Sequence, residues 1–128
     1  MSKKGAISER ELVHLFWDKG FAAVRVAGSG SSRYPSCDII ASNAIRKLAI
    51  ESKVTKNKSK YFSKEEIEQL KLFSDKFGAE PWIGMKFKKL SWFFVALEDL
   101  ELVGKSYVIS IEQAKNKGLL FNQLINKF

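Results

Sequence analysis

Asp38, Glu51 and Lys53 have the residue types and spacing for phosphodiester chemistry. Glu51-Ser52-Lys53 falls in a strand-like run. Side chains at i and i+2 of a strand point to one face, so Glu51 and Lys53 project together. Lys47 and Ala49 share that face, while Leu48, Ile50 and Val54 take the other. Asp38 opens a preceding strand, and a hairpin connection would bring it beside the Glu51–Lys53 face. Carboxylate oxygens hold Mg²⁺, a hard cation that takes oxygen ligands. A metal held there polarises a phosphate oxygen and generates hydroxide from bound water. A lysine alongside orients the attacking water or stabilises charge on the phosphate. A bare Glu-x-Lys is also a common surface pair, so the weight of this reading rests on the upstream aspartate.

A third carboxylate comes from the first helical segment, Ile7 to Lys19. With each residue advancing about 100° on a helical wheel, Leu12, Val13 and Phe16 fall within about 60° of Glu9. Glu9 therefore lies on the apolar stripe, where a carboxylate needs a partner, and a metal site is one. Glu11 points away, toward solvent. His14 lies roughly 140° from Glu9 and reads as a surface histidine rather than a general base. Cys37 points away from the Asp38 face of its strand and reads as a small buried hydrophobe.

The elements that must position these groups follow from periodicity and punctuation. Gly20 closes the first helix. Phe21–Ala27, Cys37–Ser42 and Arg46–Val54 read as three strands of an antiparallel meander, with Asn43-Ala44 as a tight connection. Between the first two lies Gly28-Ser29-Gly30-Ser31-Ser32-Arg33, a mobile loop by composition. Ser63 with Glu66 forms a capping box for a helix that ends at Phe77-Gly78. Ile67, Leu70, Phe73 and Phe77 make its apolar stripe, and Leu72 lies on the far side as an exposed leucine. Pro81–Phe87, Ser91–Leu97 and Tyr107–Ile109 read as strands, which places Trp82, Trp92, Phe93 and Phe94 in the core. Ser110 with Gln113 marks another capped turn, and Leu119–Phe128 a terminal helix. The result is an α/β protein with a central mixed sheet flanked by helices.

Composition sets the outer bounds. The 128 residues carry 22 Lys plus Arg against 14 Asp plus Glu, a formal charge of +8. That fits one domain over 1–128 and favours a polyanionic partner, most often nucleic acid. From Lys53 to Lys64 five lysines occur without an acid, with Asn57, Ser59, Tyr61 and Ser63 among them as donors for phosphate oxygens. One cysteine excludes an internal disulfide and, with one histidine, a Cys/His zinc site. No apolar run reaches membrane-spanning length, and Met1–Ser8 is polar and basic. The expectation is a soluble protein of the cytoplasm, associated with the nucleoid, without membrane contact or organic cofactor.

Taken in order, these motifs resemble the archaeal Holliday junction resolvases. The resemblance runs through Gly5-Ala6, Glu9-Arg10-Glu11-Leu12, Gly20-Phe21-Ala22 and Val24-Arg25. It continues with the Ser/Gly loop, Asp38-Ile39-Ile40-Ala41, Ile50-Glu51-Ser52-Lys53, the basic stretch, Leu72-Phe73-Ser74 and Phe77-Gly78. It covers about residues 3 to 97. The resemblance implies a restriction-endonuclease-like fold and a Mg²⁺-dependent homodimeric nuclease, with one or two ions per site, nicking opposed strands of a four-way DNA junction. It implies Glu9, Asp38 and Glu51 as metal ligands, Lys53 as the catalytic lysine, and Arg10 and Arg25 as phosphate contacts. It also implies a catalytic serine in the loop, assigned first to Ser31 and next to Ser29. The Pro-Asp pair common in this superfamily is not intact, because Ser36 and Cys37 separate Pro35 from Asp38.

Arg33, Lys56, Lys58 and Lys60 are further expected DNA contacts, and Leu72, Phe73 and Phe77 the expected dimer interface. The rival readings are a repair or restriction-like nuclease acting on another substrate, and a basic DNA-binding protein without catalysis.

Overall fold

The computed structural model describes residues 3–28 and 33–127. Helix α1 (Lys3–Asp18) leads into strand β1 (Ala22–Arg25), which pairs antiparallel with β2 (Ile39–Ser42). Strand β2 pairs antiparallel with β3 (Lys47–Thr55), giving the expected meander. Asn43 makes the β2–β3 turn by accepting from the main-chain N–H groups of Ile45 and Arg46 at 2.8 and 2.7 Å. Strand β4 (Ser59–Ser63) follows, then helix α2 (Lys64–Phe77). Ser63 and Glu66 form the reciprocal capping box, and Gly78 closes α2 at φ 78°, a left-handed conformation suited to glycine.

Helix α2 is the crossover that lets β5 (Glu80–Phe87) return parallel to β3. Strand β6 (Trp92–Ala96) then pairs antiparallel with β5. After a 3₁₀ turn at Leu97–Asp99 come β7 (Glu101–Val103), β8 (Ser106–Ser110), α3 (Ile111–Lys117), β9 (Leu119–Leu120) and α4 (Phe121–Ile125). The main sheet has the order β1-β2-β3-β5-β6-β9, and β4-β8-β7 form a second sheet.

Helices cover both faces of the main sheet, so its central strands are buried on both sides. One cluster joins Leu12 and Phe16 of α1 to Leu48, Ile50, Trp82, Phe94 and Leu124. The other joins Ile67 and Leu70 of α2 to Ala49, Ile83, Met85 and Phe93. The alternation along β3 thus assigns even-numbered residues to the α1 side and odd-numbered ones to the α2 side. Gly84 keeps the α1 side close-packed: a β-carbon there would stand 3.2 Å from Ile50 Cγ2 and 3.3 Å from Phe94 Cε1.

The structure corrects several sequence expectations. Helix α1 starts at Lys3 rather than Ile7. The expected terminal helix is divided, because Leu119 and Leu120 pair with Phe94 and Phe93 at the sheet edge before α4 begins. Lys53 belongs to β3, as the expected strand Arg46–Val54 requires, but Lys60 lies in β4, a strand outside the expected set that pairs with β8. Strands β4 and β7 are additions to the expected set. The partner of β4 lies far along the chain, and β7 is three exposed residues at the edge of the second sheet.

Candidate active site

Two main-chain hydrogen bonds fix the backbone of Asp38. Its N–H donates to Ile50 O at 3.0 Å, and its carbonyl accepts from Val26 N at 2.8 Å. This places Asp38 at the start of β2, against β3. Its Oδ2 then accepts from the main-chain N–H of Ser52 at 2.9 Å. Asp38 is buried, as is the adjoining Cys37, whose thiol burial pushes up to about 12. That thiol is an inert core group, as its strand position implied.

Glu51 and Lys53 project together, with Lys53 Nζ 3.6 Å from Glu51 Oε2. Burial, then the negative charge of Asp38, raises the Glu51 carboxyl to about 8; Lys53 works against this. Asp38 and Glu51 are close enough to hydrogen-bond through their side chains. Two acids sharing one site resist simultaneous ionisation, and a hard cation relieves that repulsion. The pair therefore fits a divalent metal by its chemistry.

Glu9 reaches the same stretch of β3 from the other face, at Ser52. It is only 3 % exposed. Its Oε1 accepts from Arg25 Nε at 3.1 Å, and its Oε2 accepts from Ser52 Oγ at 3.2 Å. Burial raises its carboxyl, the Arg25 hydrogen bond lowers it, and the charge of Asp38 raises it. Glu9 is thus within electrostatic reach of Asp38, but its direct partners are Arg25 and Ser52. Among the described residues, no three of His, Cys, Asp and Glu form a ready cluster for a metal ion. The structure brings Asp38, Glu51 and Lys53 together and sets Glu9 beside Asp38 through Ser52.

The remaining expected residues lie around this centre. Arg10, Arg33, Lys56 and Lys58 are exposed, and Arg25 and Lys60 are half-buried. Lys56 and Lys58 occupy the turn between β3, which carries Glu51 and Lys53, and β4. Arg33 stands over the Tyr34 ring at 5.7 Å. Glu11 and His14 are exposed, as the wheel predicts. Ser29, Ser31 and Ser32 lie outside the described residues. On α2, Leu72 and Phe77 are exposed and Phe73 is half-buried; the Phe73 and Phe77 rings stack at 5.2 Å.

Sequence reasoning missed Ser52 as more than the middle of Glu-Ser-Lys. The signal was present: on β3 it shares the face of Leu48 and Ile50, so a hydroxyl stands where the pattern asks for an apolar side chain. It also missed the Arg46–Glu80 pair. Arg46 Nε and Nη2 donate to the two Glu80 carboxylate oxygens at 2.8 and 2.9 Å, and Nη1 donates to Leu124 O at 2.6 Å. No spacing rule links these positions.

A mixed sheet covered by helices on both faces, with Glu51 and Lys53 on its central strand and Asp38 beside them on the neighbouring one, defines the restriction-endonuclease-like class. Comparison with known proteins specifies the family. The sequence matches the family described as archaeal Holliday junction resolvase (hjc) over residues 1–128. It is similar to crossover junction endodeoxyribonuclease Hjc of Archaeoglobus fulgidus, at 41% identity over 128 residues, covering 100% of this chain and 93% of that protein. The Hjc of Methanocaldococcus jannaschii is 35% identical over 125 residues, covering 98% of this chain and 89% of its own. The solved structure of Archaeoglobus fulgidus Hjc, a Holliday junction resolvase, superposes with a TM-score of 0.88 at 39% identity, covering 93% of this chain and 96% of that one. The chain belongs to the archaeal Holliday junction resolvase family.

Proposed function

We propose that this protein is a structure-selective DNA endonuclease that resolves four-way Holliday junctions by hydrolysing phosphodiester bonds in paired, symmetric nicks. The observation that carries the reading is the Asp38–Glu51 pair beside Lys53, in a chain of this family. Asp38 and Glu51 would hold Mg²⁺, one or two ions per site, with Glu9 as the third carboxylate. When bound, the ion supplies Lewis-acid polarisation of the scissile phosphate and lowers the pKa of water.

The chain's own residues set the rest of the chemistry. The Ser52 N–H holds Asp38 in place, so one carboxylate is fixed before substrate arrives. Lys53 Nζ, 3.6 Å from Glu51, is placed to orient the attacking water and to balance charge developing on the phosphate. A loop serine, Ser31 by preference, adds a further group from the β1–β2 connection. Arg10, Arg25, Arg33, Lys56, Lys58 and Lys60 provide phosphate contacts that position the junction without reading its bases.

One constellation per chain gives one cut, and paired cuts need a second copy. A two-fold homodimer sets two identical sites at a fixed separation, and the exposed Leu72 and Phe77 with Phe73 supply its apolar interface. No described helix is long and apolar enough to cross a membrane. A cytoplasmic site of action, at the nucleoid, follows from the substrate.

Nicking of a synthetic four-way junction in the presence of Mg²⁺, with linear duplex and single strand as controls, tests the reading. The expected result is paired nicks in the junction alone. Equal cutting of linear duplex supports a general nuclease, and binding without nicking supports a non-catalytic DNA-binding protein.

A further inference from the structure

Ser52 touches both buried acids of the site. Its main-chain N–H donates to Asp38 Oδ2 at 2.9 Å, and its hydroxyl donates to Glu9 Oε2 at 3.2 Å. It is itself only 8 % exposed, so neither bond competes freely with water. The two bonds leave one residue in different directions. The main-chain bond lies along the strand edge toward β2, whereas the hydroxyl projects from the α1 face of β3. Glu51 and Lys53, its neighbours in sequence, project from the α2 face.

Strand alternation creates a problem that Ser52 solves. Glu9 rides on α1, a separate element that packs on β3 through Leu12 and Phe16. No backbone hydrogen bond ties a helix to a sheet face, so apolar packing alone would leave the Glu9 carboxylate free to change rotamer. Arg25 holds one Glu9 oxygen, but Arg25 is half-buried on the edge strand β1 and faces a phosphate in the proposed reaction. The Ser52 hydroxyl holds the other oxygen from the central strand that also carries Glu51 and Lys53. A main-chain donor cannot do this, because its direction is committed to the sheet.

We propose that Ser52 is a positioning residue: its hydroxyl holds Glu9 in a fixed place relative to Asp38, so that a third acid stands beside the Asp38–Glu51 pair to complete the site when a cation binds. This deepens the nuclease reading and rests on it. The middle position of the Glu-Ser-Lys run is then not a spacer between two functional residues, and an apolar side chain there would keep the fold and weaken the site. Asp38 keeps its main-chain tether in any variant of Ser52, which isolates the effect on Glu9.

The test compares the full-length wild type with Ser52→Ala, Ser52→Cys and Ser52→Thr. Alanine removes the hydroxyl without adding volume, cysteine keeps the shape with a weaker donor, and threonine restores the donor on a strand-compatible side chain. Mg²⁺ affinity is measured by calorimetry on the DNA-free protein, and junction nicking is followed under single-turnover conditions. Loss of a group that orients a ligand costs about 10- to 100-fold in metal affinity or activity. That loss is expected for Ser52→Ala in both measurements and in smaller degree for Ser52→Cys, with junction affinity unchanged and Ser52→Thr close to wild type. Should alanine impair folding, the cysteine and threonine variants decide between them. Wild-type Mg²⁺ affinity and nicking in Ser52→Ala or Ser52→Cys would overturn the positioning role alone. Failure of Ser52→Thr to rescue would overturn it too, by showing that shape and not the donor matters. A wild type that does not nick junctions at all would overturn the nuclease reading, and this role with it.

Discussion

Arg25 Nε lies 3.1 Å from Glu9 Oε1, joining the edge strand β1 to the first helix. Arg25 thus has a structural partner as well as the phosphate contact proposed for it. It offsets the cost of burying Glu9, whose carboxyl burial raises and the Arg25 hydrogen bond lowers. Replacing Arg25 by alanine should raise the Glu9 carboxyl further, measured by carbon-13 NMR titration of the metal-free protein. Arg25→Lys should restore only part of the effect, because an ammonium lacks the planar fork of donors. An unmoved Glu9 titration in Arg25→Ala would show that the ion pair does not persist in solution.

The exposed lysines of the β3–β4 turn predict a salt effect. Removing one lysine–phosphate interaction should reduce the slope of log affinity against log salt by about 0.9 on duplex-like DNA. Neutralising Lys56, Lys58 and Lys60 together should therefore weaken junction binding and flatten its salt dependence, with Lys60 contributing least because β4 half-buries it. Binding isotherms across a salt series check this, and an unchanged slope would make the turn a solvated surface only.

Local signals carried much of the architecture. The Ser63–Glu66 box and Gly78 fix both ends of α2 because capping is decided within a few residues. The β1–β2–β3 meander was legible because its strands are consecutive, and so was the meeting of Asp38 with the Glu51–Lys53 face. Strand β4 was not legible. Its lysines and serines look like a solvated loop until β8, far along the chain, supplies the partner. Glu9 was readable as a buried carboxylate from the wheel, but not its approach from the face opposite Glu51. That depends on α1 packing over Leu48 and Ile50, a tertiary choice no local pattern records.

Arg46 and Glu80 predict how the fold responds to acid. Burial opposes ionisation of Glu80, but the hydrogen bonds from Arg46 and Trp82 prevail and hold its carboxyl below the usual 4.5. The folded state therefore binds this proton more weakly than the unfolded chain does. The resulting stability is complete above about pH 4.5 and is lost as pH falls through the lowered folded value. Glu80→Gln should flatten the acid limb of the stability curve. It should also destabilise the protein near neutrality by about 3 kcal/mol, the lower end for an abandoned buried charge, because Glu80 is partly exposed while Arg46 is not. Urea unfolding at several pH values measures both, and an acid limb parallel to wild type would remove Glu80 from the account.

The Phe73–Phe77 stack predicts the oligomeric state. Light scattering at micromolar concentration should give twice the 14.5 kDa of one chain without DNA. Phe77→Asp should give a monomer, since Phe77 is 44 % exposed and a charge there costs the isolated chain little. Wild type mixed with excess Asp38→Asn should form heterodimers that make one nick per junction. A wild-type monomer that still makes paired nicks would contradict the two-fold arrangement.

The central claim is that Asp38 and Glu51 form the catalytic pair. Asp38→Asn tests it most directly, because the amide oxygen can still accept the Ser52 N–H while the charge is removed. The measurement is Mg²⁺-dependent nicking of a four-way junction, run beside a binding assay on the same junction. The account predicts that nicking is abolished and binding is nearly intact. In the metal-free variant the Glu51 titration should fall below about 8, because Asp38 no longer opposes its ionisation. Asp38→Asn protein that nicks junctions at the wild-type rate would contradict the account.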